Sequence, residues 1–144
     1  MRRVAPEMSQ FHDRAVPGSI VIVDTSRISP GKLGDVKAAM TDLVGFVDAN
    51  EPRTAVYQVH LDESGEHVTV IQAHPDAASA EFHMTVAAPA FAPFADLLVL
   101  QRIDVYGSPS DALLEQLRRK AHLLGDAPLA VHPMHAGLSR FGGG

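Results

Sequence analysis

Residues 54–73 read TAVYQVHLDESGEHVTVIQA. Two runs rich in β-branched residues flank Asp62-Glu63-Ser64-Gly65, a turn in which Gly65 is suited to a positive φ. The stretch therefore predicts a β-hairpin, with strands over 54–61 and 66–73. Everything else in the fold depends on what lies on either side of it.

Before the hairpin, residues 19–25 (SIVIVDT) predict a buried strand. Ser29-Pro30-Gly31 then reads as a helix start, Ser29 capping and Pro30 in the first helical position. Leu33, Val36, Met40, Leu43 and Val47 recur at spacings of three and four, the apolar stripe of a helix ending near Ala49. Asn50-Glu51-Pro52 stops it, because proline cannot continue the ladder. After the hairpin, Pro75-Asp76 opens a second helix reaching Ala87 or Ala88, followed by a short apolar piece with Phe91 and Phe94. Residues 97–106 (LLVLQRIDVY) predict a fourth strand. Ser108-Pro109-Ser110-Asp111 reads as a capping box opening a third helix over 109–124, which Gly125 ends. The tail, 128–141, fits an added strand or an arm reaching another subunit.

The order β-α-β-β-α-β is that of the ferredoxin-like split βαβ fold, an α+β class with a four-stranded antiparallel sheet and two helices on one face. The sequence divides into an N-terminal arm (1–18), the ferredoxin-like domain (19–106) and a helix-and-tail extension (107–144), with Gly142 to Gly144 as a frayed end. Strands one and four look apolar at nearly every position, so the face away from the helices needs a cover. A second copy is the simplest, which predicts a homodimer with a barrel-like core.

With 144 residues, 46% of them hydrophobic and 20% charged, the chain has the size and composition of one globular domain. Its net charge of −5 and scattered basic residues argue against nucleic acid; the one basic cluster, Arg118-Arg119-Lys120, reads as compensation for a helix C-terminus. There is no cysteine, which excludes disulfides, thiolate metal sites and a cysteine nucleophile and suits a cytoplasmic protein. No apolar run long enough for a signal peptide or a membrane span follows Arg2-Arg3.

On strand two, Tyr57, Val59 and Leu61 share the face suited to helix packing. Val56, Gln58 and His60 share the other, a semi-polar face fitting a barrel interior, a dimer interface or a wet edge. His60, His74 and His83 are spaced by fourteen and nine residues, and His132 and His135 are separated by Pro133; neither pattern is a metal motif, so no metal is expected. No Ser-His-Asp pattern, phosphate loop or dinucleotide fingerprint is visible.

Over residues 19–106 the chain resembles the antibiotic biosynthesis monooxygenases and their quinol-oxidising relatives, of the dimeric α/β-barrel superfamily. The resemblance rests on Asn50-Glu51-Pro52 leading to Tyr57, on the turn at 62–65, and on the second helix with His83 followed by Phe91 and Phe94. It implies a homodimer with a pocket between sheet and helices, and oxidation of an aromatic or quinol-like molecule by molecular oxygen without a cofactor. On that implication Asn50 donates to a substrate oxygen, Tyr57 orients the ring or donates to the anion, and His83 takes the proton. Gln58, His60, Gln72, His74 and Phe91 are the candidate substrate-binding residues. Gln72 and His74 stand where members of that family often carry an acidic residue and then a tryptophan, and this chain has no tryptophan. A binding or structural homodimer without catalysis is the alternative, as is an isomerase or decarboxylase on the same scaffold.

Overall fold

The computed structural model describes residues 18–141, so the expectations for most of the N-terminal arm and for the last three glycines lie outside the described residues. The elements, in chain order, are β1 (Ile20–Ile28), α1 (Leu33–Asn50), β2 (Val56–Leu61), β3 (His67–His74), α2 (Ala77–Ala87), two short 3-10 turns (Ala88–Ala90 and Ala92–Asp96), β4 (Leu98–Tyr106), α3 (Asp111–Leu123) and β5 (Leu129–His132). The sheet runs β2-β3-β1-β4-β5. β1 lies antiparallel to both β3 and β4, and β2 antiparallel to β3, which is the expected ferredoxin-like core.

The expected four-stranded antiparallel sheet is corrected to a five-stranded mixed one: β5 pairs in parallel with β4, bringing Leu129 beside Ile103 and His132 beside Tyr106. α3 supplies the crossover that a parallel pair requires. The four residues of β5 carry too little periodicity to be separated from a loop by pattern alone.

Local chemistry sets the boundaries. Asp62 accepts hydrogen bonds from the backbone of Glu66 and His67, and Gly65 turns with φ +73°, so the hairpin forms where expected. Asp76 caps α2 by accepting from the Ser79 backbone at 2.8 Å. Ser110 caps α3 by accepting from Leu113, so that helix begins after Pro109 rather than with it. α1 also starts later than its proline suggests. Gly31 adopts φ +77°, and the chain enters the helix only at Leu33, with no side-chain cap.

Alternation along each strand sorts the sheet into two faces. Ile20, Ile22, Val68, Val70, Leu98, Leu100, Ile103 and Val105 are buried under the helices, which add Val36, Met40, Leu43 and Val47 from α1, Ala80, Met84 and Ala87 from α2, and Leu113, Leu117 and Ala121 from α3. On the other face the register aligns Gln58, Ile71, Val23 and Asp104 in one row and Val56, Ala73, Val21 and Tyr106 in the next. That face is apolar at its centre. Toward β5 it is polar, correcting the reading of β4 as apolar on both sides: Arg102 holds Asp104 with two hydrogen bonds of 2.7 Å, and His132 joins the same carboxylate at 2.8 Å.

Candidate active site

The helix-side face carries the unusual chemistry. α1 ends at Asn50, and the next residue, Glu51, turns inward, its backbone N–H donating to Val47 at 2.9 Å. Its carboxylate is 3% exposed and takes the Nδ1 hydrogen of His83 on α2 at 2.7 Å, with Thr54 donating to the same oxygen at 3.1 Å. His83 is fully buried. With Nδ1 donating to the carboxylate, a neutral His83 ring keeps its lone pair on Nε2, which has no hydrogen-bond partner. The second oxygen of Glu51 and the amide nitrogen of Gln72 are likewise buried without partners. Three orphaned polar atoms on neighbouring elements are an expensive arrangement for a core that only has to be stable.

His74 behaves differently. Its Nε2 donates to the side-chain amide oxygen of Gln72 at 2.7 Å and its Nδ1 faces the Ser79 hydroxyl at 3.3 Å. Burial pushes its pKa down to about 4, and a charge on nearby His83 would lower it further, against a weaker opposing pull from Glu51 and Asp76. His74 is thus a neutral, fully engaged ring, 5.8 Å from His83 between centroids.

Tyr57 comes in from β2, its ring 5.2 Å from that of His83. Burial raises the phenol's pKa far above the ordinary value, with the negative charges of Asp24 and Glu51 acting in the same direction, so it stays a neutral phenol. Phe91 closes another side, 6.3 Å from His83. Asp24 on β1 and Lys120 on α3 form a buried ion pair at 2.9 Å, and the ammonium lies 4.6 Å over the Phe91 ring. Asp24, Tyr57, Phe91 and Lys120, with Met40 and Ser26, line a chamber of about 20 Å³, the room for about one water molecule. Tyr57 and Met40 also line a groove of about 580 Å³ between α1 and β2, whose walls are apolar at Val36, Val44 and Val59 and polar at Lys37, Gln58 and His60. Its volume is in the range of small-molecule pockets.

Of the residues expected from sequence, the structure brings together His83, Tyr57, Gln72, His74 and Phe91. It does not bring in Asn50, which is exposed and donates its side-chain amide to the Phe46 carbonyl at 2.9 Å; as the last residue of α1 it points away while its neighbour turns inward. Gln58 and His60 alternate with Tyr57 and are exposed, 3.2 Å apart, away from the His83 cluster, yet both border the groove between α1 and β2 at the sheet edge. This answers the question of their face. Lys120 is not a surface counter-charge for the helix end but a buried partner of Asp24, so only Arg118 and Arg119 of that cluster keep the expected exposure. Sequence reading missed Glu51, Asp24 and Lys120 as site residues. Signals existed: Asp24 interrupts an apolar strand, and Lys120 falls on the stripe of Leu113 and Leu117. Among the described residues no three His, Cys, Asp or Glu side chains gather to hold a metal ion, and no helix is long and apolar enough to cross a membrane.

No protein-family model matches the chain, and no curated protein matches it by sequence. Solved structures do. MupZ from Pseudomonas fluorescens superposes with a TM-score of 0.66 at 16% identity, over 85% of this chain and 95% of its own. Two proteins named "putative antibiotic biosynthesis monooxygenase" also match. The one from Bacteriodes thetaiotaomicron has a TM-score of 0.53 at 18% identity, over 58% of this chain and 84% of its own. The one from Chloroflexus aurantiacus has 0.52 at 14%, over 60% and 89%. The chain has the fold of the antibiotic biosynthesis monooxygenase-like proteins. At these identities the likeness concerns the fold. The monooxygenase-like fold here carries β5 and α3 outside its ferredoxin-like core, and α3 delivers Lys120 to the chamber.

Proposed function

We propose that the protein is a cofactor-independent monooxygenase of a small aromatic or quinol-like molecule, with His83 as general base. The observation that carries this is the buried Glu51–His83 pair, whose Nε2 has no hydrogen-bond partner and whose ring lies 5.2 Å from that of Tyr57. A carboxylate that orients an imidazole and offsets its charge is a recurring way to make a base. Proton removal from a phenol or quinol leaves an electron-rich anion that molecular oxygen can attack. One oxygen atom enters the substrate, the other leaves as water, and the substrate supplies the electrons. Tyr57 donates to the developing anion. The substrate's apolar body occupies the groove between α1 and β2, and its reactive end enters by displacing Met40, an unbranched side chain that repacks at low cost. The names of two structural neighbours support the reaction class. Two copies pack through the open sheet face in this reading, their apolar centres around Val21, Val23 and Ile71 meeting each other.

A second reading, a homodimer that binds a small molecule without transforming it, is favoured by the chamber volume of about 20 Å³, which side chains nearly fill. Oxygen consumption without added cofactor, across a panel of anthrones, dihydroxynaphthalenes and quinols, separates the two. Uptake above the uncatalysed rate is expected, falling by about 10²–10⁴ in His83→Ala and falling also in Tyr57→Phe. Binding of panel members without any uptake would replace the first reading by the second.

A further inference from the structure

Lys120 and Asp24 stand at positions where the core asks for apolar residues. Lys120 lies on the buried stripe of α3 with Leu113 and Leu117, and Asp24 lies between Ile22 and Ser26 on the helix side of β1. Their side chains are 9% and 7% exposed. A buried ion pair seldom improves on well-packed apolar residues of similar volume, so stability alone does not account for it. The pair also leaves capacity unspent. An ammonium has three donors, and among the described residues Lys120 uses one, on Asp24, and rests over the Phe91 ring. Asp24 has no other side-chain hydrogen bond among the described residues. Lys120 is the one cation among the residues lining the chamber. Of the other cations, Arg53 pairs with Asp76 on the surface and Arg102 with Asp104 on the open face, while Lys37 lines the groove between α1 and β2 outside the chamber.

We infer that Lys120 is a substrate-binding residue, the cation that receives the anionic oxygen of a weakly acidic phenol or enol. The inference rests on the reading of His83 as base, and it deepens that reading by naming the acidity the substrate must have. The charges balance without a further reactant. The substrate O–H proton passes to Nε2 of His83, the resulting imidazolium stays paired with Glu51, and the oxyanion takes the unused donors of Lys120 while Asp24 holds the third. Tyr57, lining the same chamber and kept as a neutral phenol, supplies a further donor to that oxygen. Phe91 borders both His83 and Lys120, at 6.3 and 4.6 Å, so base and cation flank one ring. An aromatic molecule lacking an acidic oxygen would find the same apolar groove and no ionisation to drive.

The test uses 4-nitrophenol, whose ionisation is read directly from its absorption. Titrated in the presence of the purified protein, the bound phenol should ionise about one pH unit or more below the free phenol, the effect of an adjacent opposite charge. The double variant Lys120→Met, Asp24→Asn removes both charges together and leaves neither buried alone; in it the bound phenol should ionise like the free one. A second neutral pair, Lys120→Gln with Asp24→Asn, can keep a hydrogen bond between the two positions and should likewise abolish the shift, which keeps the test decisive if the first double variant does not fold. His83→Ala should retain the shift, because the cation is still present. A bound phenol with no shift in the parent protein, or an unchanged shift in the double variant, overturns the role of Lys120 and leaves His83 untouched. Failure of the parent to bind the phenol overturns both.

Discussion

Two histidines in one buried cluster have opposite environments. His83 faces a carboxylate, while His74 faces an amide oxygen and a hydroxyl. The consequence for His74 is a linkage. Its pKa is about 4 in the folded chain against an ordinary 6.5, so folding excludes a proton that the unfolded chain binds below pH 6.5. The contribution of His74 is complete above pH 6.5 and is lost as the pH falls toward 4. The full shift corresponds to about 3 kcal/mol. Urea midpoints at pH 7 and pH 4.5 should therefore diverge more in the parent than in His74→Gln; equal divergence would mean the imidazole is charged when folded. Four candidate site residues, Tyr57, Gln72, His74 and His83, were legible because an imidazole, a phenol or an amide among apolar neighbours is conspicuous. Asn50, expected as a donor in the pocket, is exposed, and it is its neighbour Glu51 that turns inward. A helix end decides which of two adjacent side chains turns inward, and element boundaries are where sequence periodicity is least informative.

The βαββαβ order could be read because each core element announces itself. The hairpin has its glycine turn, α1 its stripe, α2 and α3 their capping residues. β5 announces nothing, and it matters because it extends the sheet beyond β4 and orders the segment that follows α3. The joint there is Gly107, which donates its N–H to the His132 carbonyl at 3.0 Å and adopts φ +127°. A Cβ at this position would lie 2.5 Å from the Ser19 carbonyl oxygen, against backbone that cannot swing aside. Gly107→Ala should lower stability by about 1–3 kcal/mol from the backbone alone, and by more from the clash. Gly45 gives the contrast, since it lies inside α1 with open space around its Cα. Gly45→Ala should raise stability by about 0.5–1 kcal/mol. Thermal unfolding of the pair checks both signs. A Gly107→Ala variant as stable as the parent would mean that β1 and the end of β4 do not approach this closely.

At the scale of the whole molecule, the decisive surface is the sheet face that no helix among the described residues covers. Its centre is aliphatic: Ile71 pairs across with Val23 and Gln58, and Val21 with Ala73 and Tyr106, the last 43% exposed. Its margin at β4 and β5 is polar, with the Arg102–Asp104–His132 network. An apolar centre inside a polar rim is the anatomy of a protein interface, and in the proposed homodimer each row meets its own copy about a two-fold axis. One substitution then acts twice. Ile71→Asp would place two carboxylates in the middle of the joined faces, each stripped of water without a partner. Since 1.4 kcal/mol is a tenfold change in affinity, even a modest cost per copy weakens the dimer by about 10²-fold or more. The monomer should survive the change, because Ile71 is only partly buried within it and Val70 and Gln72 on either side keep their places under the helices. Sedimentation of the parent should therefore show a dimer and that of Ile71→Asp a folded monomer. A dimeric variant would move the interface to another surface. A monomeric parent would leave the aliphatic rows of β1 and β3 to some other partner, and would separate the Glu51–His83 chemistry from any contribution of a second subunit.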